Sequence, residues 1–223
     1  MGYVNLMPEK NIILAMDTAT GSCSVALWKN GKLAAYQENK LTSMQSARLM
    51  PMVEATLVEA SVNYSDLAKV ISTVGPGSFT GIRVGLAAAR GICLAANLPS
   101  GGYTTLETIA FGARHEAKGR AIIAILNAGK GEVYYQAFSP TSEWQALYEP
   151  RVGAIELALV SVGGDAITAS NMLISDTRFA KAEITFPRAD SLCALASERA
   201  EFSLPMTPYY IRLPDAKPMA VDR

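Results

Sequence analysis

Apolar residues run from Ile12 to Met16 and stop at Asp17, the pattern of a strand buried on both faces that delivers a carboxylate at its tip. A polar turn over Thr18–Ser22 leads to a second strand near Cys23–Trp28. Asn30-Gly31 then marks a hairpin, because both residues tolerate positive φ. A third strand near Lys32–Glu38 completes an opening meander. There the period changes to that of a helix: Ala47, Met50, Val53, Leu57 and Ala60 share one face over roughly Met44–Ala60. Pro51 inside this stretch predicts a kink or a late start. Lys69–Val74 is the next strand, and it ends in Gly75-Pro76-Gly77-Ser78-Phe79-Thr80-Gly81. A helix capped by Ser78 or Thr80 follows to about Asn97. Pro99 through Gly102 breaks the chain before another helix of about Thr105–Glu116.

The opening pattern returns after about 110 residues. Ala121–Leu126 is a second apolar run ending in a polar residue, Asn127. A turn with Gly129 and Gly131 and the alternating strand Glu132–Phe138 come next. This is the order of Ile12–Trp28 repeated, and it predicts two similar lobes, residues 11–103 and 104–223, not a solenoid of short repeats. Beyond Pro140 the pattern is fainter. Ala154–Val162 fits helix or strand, Gly163-Gly164-Asp165 is a turn, and Ser191–Glu201 reads as a helix. Leu204 through Pro218 is punctuated by proline and reads as an extended tail packed on the surface.

Composition narrows the class. Of 223 residues, 50% are hydrophobic and 18% charged, which excludes a disordered chain. Twenty basic residues balance twenty acidic ones, which argues against strong autonomous binding of nucleic acid, since phosphate neutralisation needs a basic surplus. Cys23, Cys93 and Cys193 stand far apart with no CxxC pair, as expected of reduced packing thiols in a cytoplasmic protein. The first ten residues carry one basic group, Lys10, and Ile12–Met16 is too short for a signal core. Val84–Ala96 is interrupted by Arg90 and falls short of a membrane span. The expectation is a cytoplasmic protein with no membrane segment.

Candidate chemistry lies at the strand tips. The Gly75–Gly81 loop fits two readings: a tight strand-to-helix turn, or a backbone cradle for an anion at a helix N-terminus. It is not a Walker A loop, because no lysine stands in the required place. Asp17, with Thr18 and Thr20, suits a metal-bound phosphate or a turn cap, yet the equivalent tip of the second copy is the neutral Asn127. His115 is the lone histidine and reads as a surface residue. No histidine metal motif or Ser-His-Asp set can be assembled, so no metal and no catalytic residue are expected. Two helices carry another message. Gly81, Gly85, Ala88, Ala89, Ile92 and Ala95 form a small-residue face that admits a second helix closely. Met50, Met52, Val53 and Leu57 form an adaptable apolar one. Packing within a lobe or contact with a partner would explain either face.

Taken together, Met16-Asp17-Thr18-Ala19-Thr20, Cys23-Ser24-Val25-Ala26-Leu27-Trp28 and the run Gly75 to Gly85 resemble the bacterial TsaB (YeaZ) family. Leu49-Met50-Pro51, Gly131-Glu132-Val133-Tyr134 and the tail from Tyr210 to Pro218 extend the resemblance over nearly the whole chain. It implies an α/β, actin-like (ASKHA, RNase H-like) duplicated two-lobe fold with mixed central sheets. It also implies a non-catalytic scaffold for threonylcarbamoyl transfer to the adenosine beside the anticodon of ANN-decoding tRNAs. Family members act with the catalytic subunit TsaD and the ATPase TsaE, form homodimers, and meet tRNA only within the complex. Pairing runs through helices of the first lobe, which makes Ala47, Met50, Val53, Glu54, Leu57, Gly85, Ala88 and Ala89 the interface candidates. Asp17, Thr18, Gly75, Gly77, Ser78, Thr80 and Gly81 become the remnant of a nucleotide site. No intrinsic cofactor is implied, and ATP or ADP would sit only at a complex interface. Two departures remove chemical groups: Gln45 stands where relatives often have His, and Asn127-Ala128-Gly129 where many have Asp-Ala-Arg. The rival expectation is a small-molecule kinase or ATPase of the actin-like superfamily, motivated by Asp17 and the glycine loop. A peptidase has no nucleophile–base pair behind it.

Overall fold

The structure is a computed structural model that describes residues 11–40, 45–139, 144–163, 165–199 and 201–212. The chain opens as the meander β1 (Ile12–Asp17), β2 (Cys23–Lys29) and β3 (Lys32–Asn39). Asn30 and Gly31 adopt positive φ at the hairpin. Helix α1 (Gln45–Glu59) keeps Pro51 inside it. The strand β4 (Lys69–Thr73), the helix α2 (Phe79–Ala96) and the strand β5 (Ser100–Tyr103) complete the first sheet, in the order β3-β2-β1-β4-β5. Helix α3 (Thr105–Ala113), extended by a 3-10 turn at Arg114–Glu116, joins it to the second half. There β6 (Ala121–Gly129), β7 (Glu132–Phe138), β8 (Arg151–Gly153), α4 (Ile155–Val160), β9 (Ala166–Ser170), β10 (Ala180–Lys181) and α5 (Ala189–Ser197) follow.

The second sheet has the order β10-β9-β6-β7-β8, which read backwards is the first sheet again. In each, the first three strands pair antiparallel and the remaining two join in parallel. The duplication expected from the recurring apolar run is therefore present as topology. One element is not repeated: among the described residues no helix connects β9 to β10 where α2 connects β4 to β5.

Burial explains why β1 is apolar from Ile12 to Met16 and β6 from Ala121 to Leu126. Leu14 and Met16 pack under α1 and α2 with Leu49, Val53, Ile82 and Leu86, while Ile13 and Ala15 pack against Leu192, Cys193 and Leu195 of α5. In β6, Ile122 and Leu126 face Leu106 and Ile109 of α3, and Ile123 and Ile125 face Ala158 and Leu159 of α4. A strand covered on both faces loses the alternation of a surface strand. The helices are exchanged between the halves: α3, which follows the first sheet, lies on the second, and α5, from the far end of the chain, lies on the first. Ala189 N–H on α5 donates to Ser24 Oγ at 3.0 Å, and Lys69 Nζ donates to the Ala196 carbonyl at its C-terminal end at 3.0 Å.

Several local expectations change. Gly101 and Gly102 read as a break but lie in β5, because a Cβ on Gly101 would stand 2.0 Å from the Phe202 ring and one on Gly102 2.3 Å from Val74. The tail over Leu204–Tyr209 is extended and packed, as expected, but one residue goes deeper than the surface: Leu204 bridges to Gly102, and Met206 is buried in the first-lobe core. Its continuation past Arg212 and the first ten residues lie outside the described residues. The α2 helix starts behind its Ser78 cap and ends at Asn97, as expected. At 18 residues and a mean hydropathy of 1.3 it is long and apolar enough to cross a membrane by length and composition. Its Ile82, Leu86, Ala89 and Ile92 are the packing face of the first-lobe core.

Burial also corrects four interface candidates. Val53, Leu57 and Ala89 are core residues, and Gly85 is buried with its Cα against the Thr18 and Ser72 hydroxyls. Leu57→Asp should therefore lower stability by several kcal/mol, whereas Met50→Asp, at a position 38% exposed, should leave the melting temperature near wild type. Thermal denaturation followed by circular dichroism separates the two.

Candidate functional site

The tips of β1 and β4 lie side by side because the strands pair in parallel, Met16 opposite Ser72. Asp17 thereby meets Thr73: its Oδ1 accepts the Thr73 hydroxyl at 2.5 Å and the Ala19 N–H at 3.2 Å. The carboxylate is fully buried, and its Oδ2 has no hydrogen-bond partner among the described residues. Burial pushes the Asp17 carboxyl up to about 7, while the hydrogen bonds from Thr73 and Ala19 pull the other way.

The loop after β4 folds onto this tip. Ser78 N–H donates to the Ala19 carbonyl at 2.7 Å. A Cβ on Gly77 would stand 2.1 Å from that same oxygen, so only glycine passes here. The Thr18 hydroxyl donates to the Gly81 carbonyl at 2.7 Å, and a Cβ on Gly85 would meet that hydroxyl at 2.5 Å. Ser78, not Thr80, caps α2, its Oγ accepting the Gly81 N–H at 3.2 Å. Gly75, at φ +112°, accepts the Thr105 N–H at 2.9 Å and so ties the loop to α3. Asp17, Thr18, Gly75, Gly77, Ser78 and Gly81 are thus brought together, while Thr80 is exposed on the first turn of α2. The N–H groups of Ser78, Gly81 and Ile82 are engaged within the chain. The loop as folded is a turn docked on the tip of β1.

At the corresponding tip of the second sheet, Asn127 folds on itself: its Oδ1 accepts the Gly129 N–H at 2.7 Å, and its own N–H donates to Asn171 Oδ1 at 3.3 Å. No group of three or more His, Cys, Asp or Glu among the described residues is placed to hold a metal ion. His115 is exposed. Cys23, Cys93 and Cys193 are buried free thiols, and burial raises all three, with the Asp17 charge helping to push Cys23 up to about 12. Such thiols pack and do not attack.

A second feature lies on the outer face of the first lobe. Between α1 and α2 runs an apolar groove of about 660 Å³, lined by Met50, Tyr64, Ala87, Ala88, Gly91, Ile92 and Ala95. Of the eight interface candidates, Met50 and Ala88 line it, and Ala47 and Glu54 are exposed on α1. Glu54 Oε1 accepts the Tyr64 hydroxyl at 2.6 Å on its rim. Sequence reasoning missed Ala87, Gly91 and Tyr64. The spacing Ala87, Gly91, Ala95 is a small-residue stripe one helical step from the face chosen. On the same two helices, Leu94 is 86% and Val58 76% exposed, apolar surface that the core beneath them does not use.

Paired sheets of this topology with exchanged helices define an actin-like, two-lobed α/β protein. A family profile described as TsaD, tRNA N6-adenosine threonylcarbamoyltransferase, matches residues 42–202. The TsaB protein of Escherichia coli, named a tRNA threonylcarbamoyladenosine biosynthesis protein, is 40% identical over 126 residues, 56% of this chain and 54% of that one. An uncharacterized protein of Mycobacterium tuberculosis is 30% identical over 217 residues, 94% of this chain and 95% of that one. A crystal structure from Pseudomonas aeruginosa, described as an uncharacterized protein similar to peptidase YEAZ, superposes with a TM-score of 0.76 at 26% identity. That superposition covers 90% of this chain and 99% of the other. The chain belongs to the family this profile describes, and within it to the TsaB (YeaZ) group. The match spans about half the length of the curated TsaB relatives, 54% in Escherichia coli and 52% in Bacillus subtilis.

The buried carboxylate makes a pH prediction. Because the folded pKa of Asp17, about 7, lies above its ordinary value of 3.8, folding favours the protonated form. The penalty for burying the charge is absent at pH 3, grows between pH 4 and 7, and is complete above 7. Asp17→Asn removes it. The stability difference between variant and wild type should shift toward the variant by about 4 kcal/mol from pH 3 to pH 8, read by urea denaturation across that range. A constant difference would show that the carboxylate titrates normally.

Proposed function

We propose that this chain is a non-catalytic accessory subunit in tRNA threonylcarbamoyladenosine modification, docking through the α1–α2 face onto the catalytic subunit TsaD, with the ATPase TsaE joining the assembly. The observation that carries this reading is the apolar groove between α1 and α2, set beside a glycine loop in which the Ser78 and Gly81 N–H groups are engaged within the chain. Names carried by the relatives supply the pathway. The apolar lining suits a helix of a protein partner, since Gly91, Ala87 and Ala95 let a second backbone approach closely. Homodimers would use the same face and compete with the heterodimer. Transfer RNA would be met only within the complex, because this chain has no basic surplus. Any ATP or ADP would be held at the interface between subunits, and the work would be done in the cytoplasm.

The second reading is an actin-like ATPase or small-molecule kinase, and the unpartnered Oδ2 of Asp17 favours it. Phosphate release by the isolated chain, abolished by Asp17→Ala, would support that reading instead.

Gly91→Arg tests the first. A Cβ there meets no atom within 4 Å, so the fold should stand while the guanidinium fills the groove. Co-elution with the cognate TsaD on size exclusion should weaken by at least roughly tenfold in affinity, with an unchanged melting temperature. Equal co-elution of variant and wild type would remove the groove from the interface.

A further inference from the structure

The segment that follows α5 crosses the molecule and touches both lobes. Leu204 exchanges two backbone hydrogen bonds with Gly102, at 2.9 and 3.1 Å, and so extends the edge of the first sheet beside β5. Met206 is 4% exposed within the first-lobe core. Tyr209 N–H donates to the Val74 carbonyl at 2.8 Å, and the Tyr209 carbonyl oxygen would lie 2.9 Å from a Cβ on Gly75. Tyr210 then stacks on Phe79 with ring centroids 5.9 Å apart, and its hydroxyl accepts the Arg83 Nε–H at 3.1 Å. The next two residues reach the other lobe. Ile211 packs against the core formed by Leu106, Ile109 and Ile122, and Arg212 pairs with Glu132 at the start of β7.

We infer that residues 202–212 form a strap that holds the two lobes and the Gly75–Gly81 loop in one arrangement, with a releasable far end at Tyr210 and Arg212. The two halves of the strap are built differently. From Phe202 to Tyr209 it is fastened by backbone hydrogen bonds and a buried side chain, which open only with the sheet edge. From Tyr210 onward it is held by a 42% exposed ring and by an ion pair whose side chains are 23% and 41% exposed. Contacts of that kind are weak singly and are screened by salt. The weak half is also the one that spans the lobes. It starts on the first turn of α2, through Phe79 and Arg83, and ends on the β6–β7 hairpin, whose β6 carries Asn127 near its end. Releasing Tyr210 and Arg212 would free the loop at its outer side and remove the ion pair that joins the tail to the second lobe's hairpin.

The test is hydrogen–deuterium exchange of the full chain, followed by mass spectrometry. Tyr210→Ala and Arg212→Glu should each raise exchange at residues 74–82 and 127–133 by roughly tenfold, with α1 and α4 unchanged. Glu132→Arg should reproduce the Arg212→Glu effect, and the double charge swap should return both segments toward wild type. Raising salt should mimic the single charge reversals. Unchanged exchange in all single variants would overturn the strap. So would a uniform rise across the chain, which reports global destabilisation, or a double swap that fails to restore protection.

Discussion

Helix α5 lies on the sheet made by the first hundred residues, and helix α3 lies on the sheet made by the second half. Without α5, Ile13, Ala15 and Ile71 would face water, and without α3, Ile122 and Leu126 would. Each sheet therefore depends for one face of its core on the helix that follows the last strand of the other sheet in the chain. The two helices also touch each other, with Phe111 packed in the cluster around Leu192 and Leu195. Burial on both sides is the main driving force for such a sheet, so the lobes are coupled through their cores and not merely joined by a linker.

That coupling sets the position of the strand tips. With β1 and β4 clamped between two layers, Thr73 reaches the Asp17 carboxylate, and the following loop has one way to turn, over Ala19 and Thr18. Glycines at 77 and 85 allow the approach by leaving out atoms that the Ala19 carbonyl and Thr18 hydroxyl would meet. The same constraint leaves a carboxylate sealed from water with one oxygen unpartnered. The second tip holds Asn127, engaged with Gly129 and Asn171.

The outer face of the first lobe follows from what α1 and α2 do inside. Their inward residues, Leu49, Val53, Leu57, Ile82 and Leu86, meet the needs of the sheet. Met50, Ala87, Gly91 and Ala95 then remain as an apolar groove on the other side. The second lobe has no counterpart of α2 among its described residues, so the duplication produced one such face and not two.

Much of this fold was legible in the chain. The runs Ile12–Met16 and Ala121–Leu126, the Asn30-Gly31 turn and the helix over Phe79–Ala96 follow from local periodicity and backbone preference, which act over a few residues. The pairing of those runs also revealed the duplication. The strands β5, β8, β9 and β10 were hidden, because two to five residues carry little periodicity and Gly101-Gly102 reads as a break until Phe202 is seen above it. Which face of α1 and α2 turns inward was decided only by tertiary structure: Val53 and Ala89 look like surface candidates on a helical wheel, and burial against β1 and β4 takes them inside. The Asp17 carboxylate was placed at a strand tip by sequence alone, but its isolation from water depends on a loop 60 residues away closing over it, a contact between distant segments that no local pattern encodes.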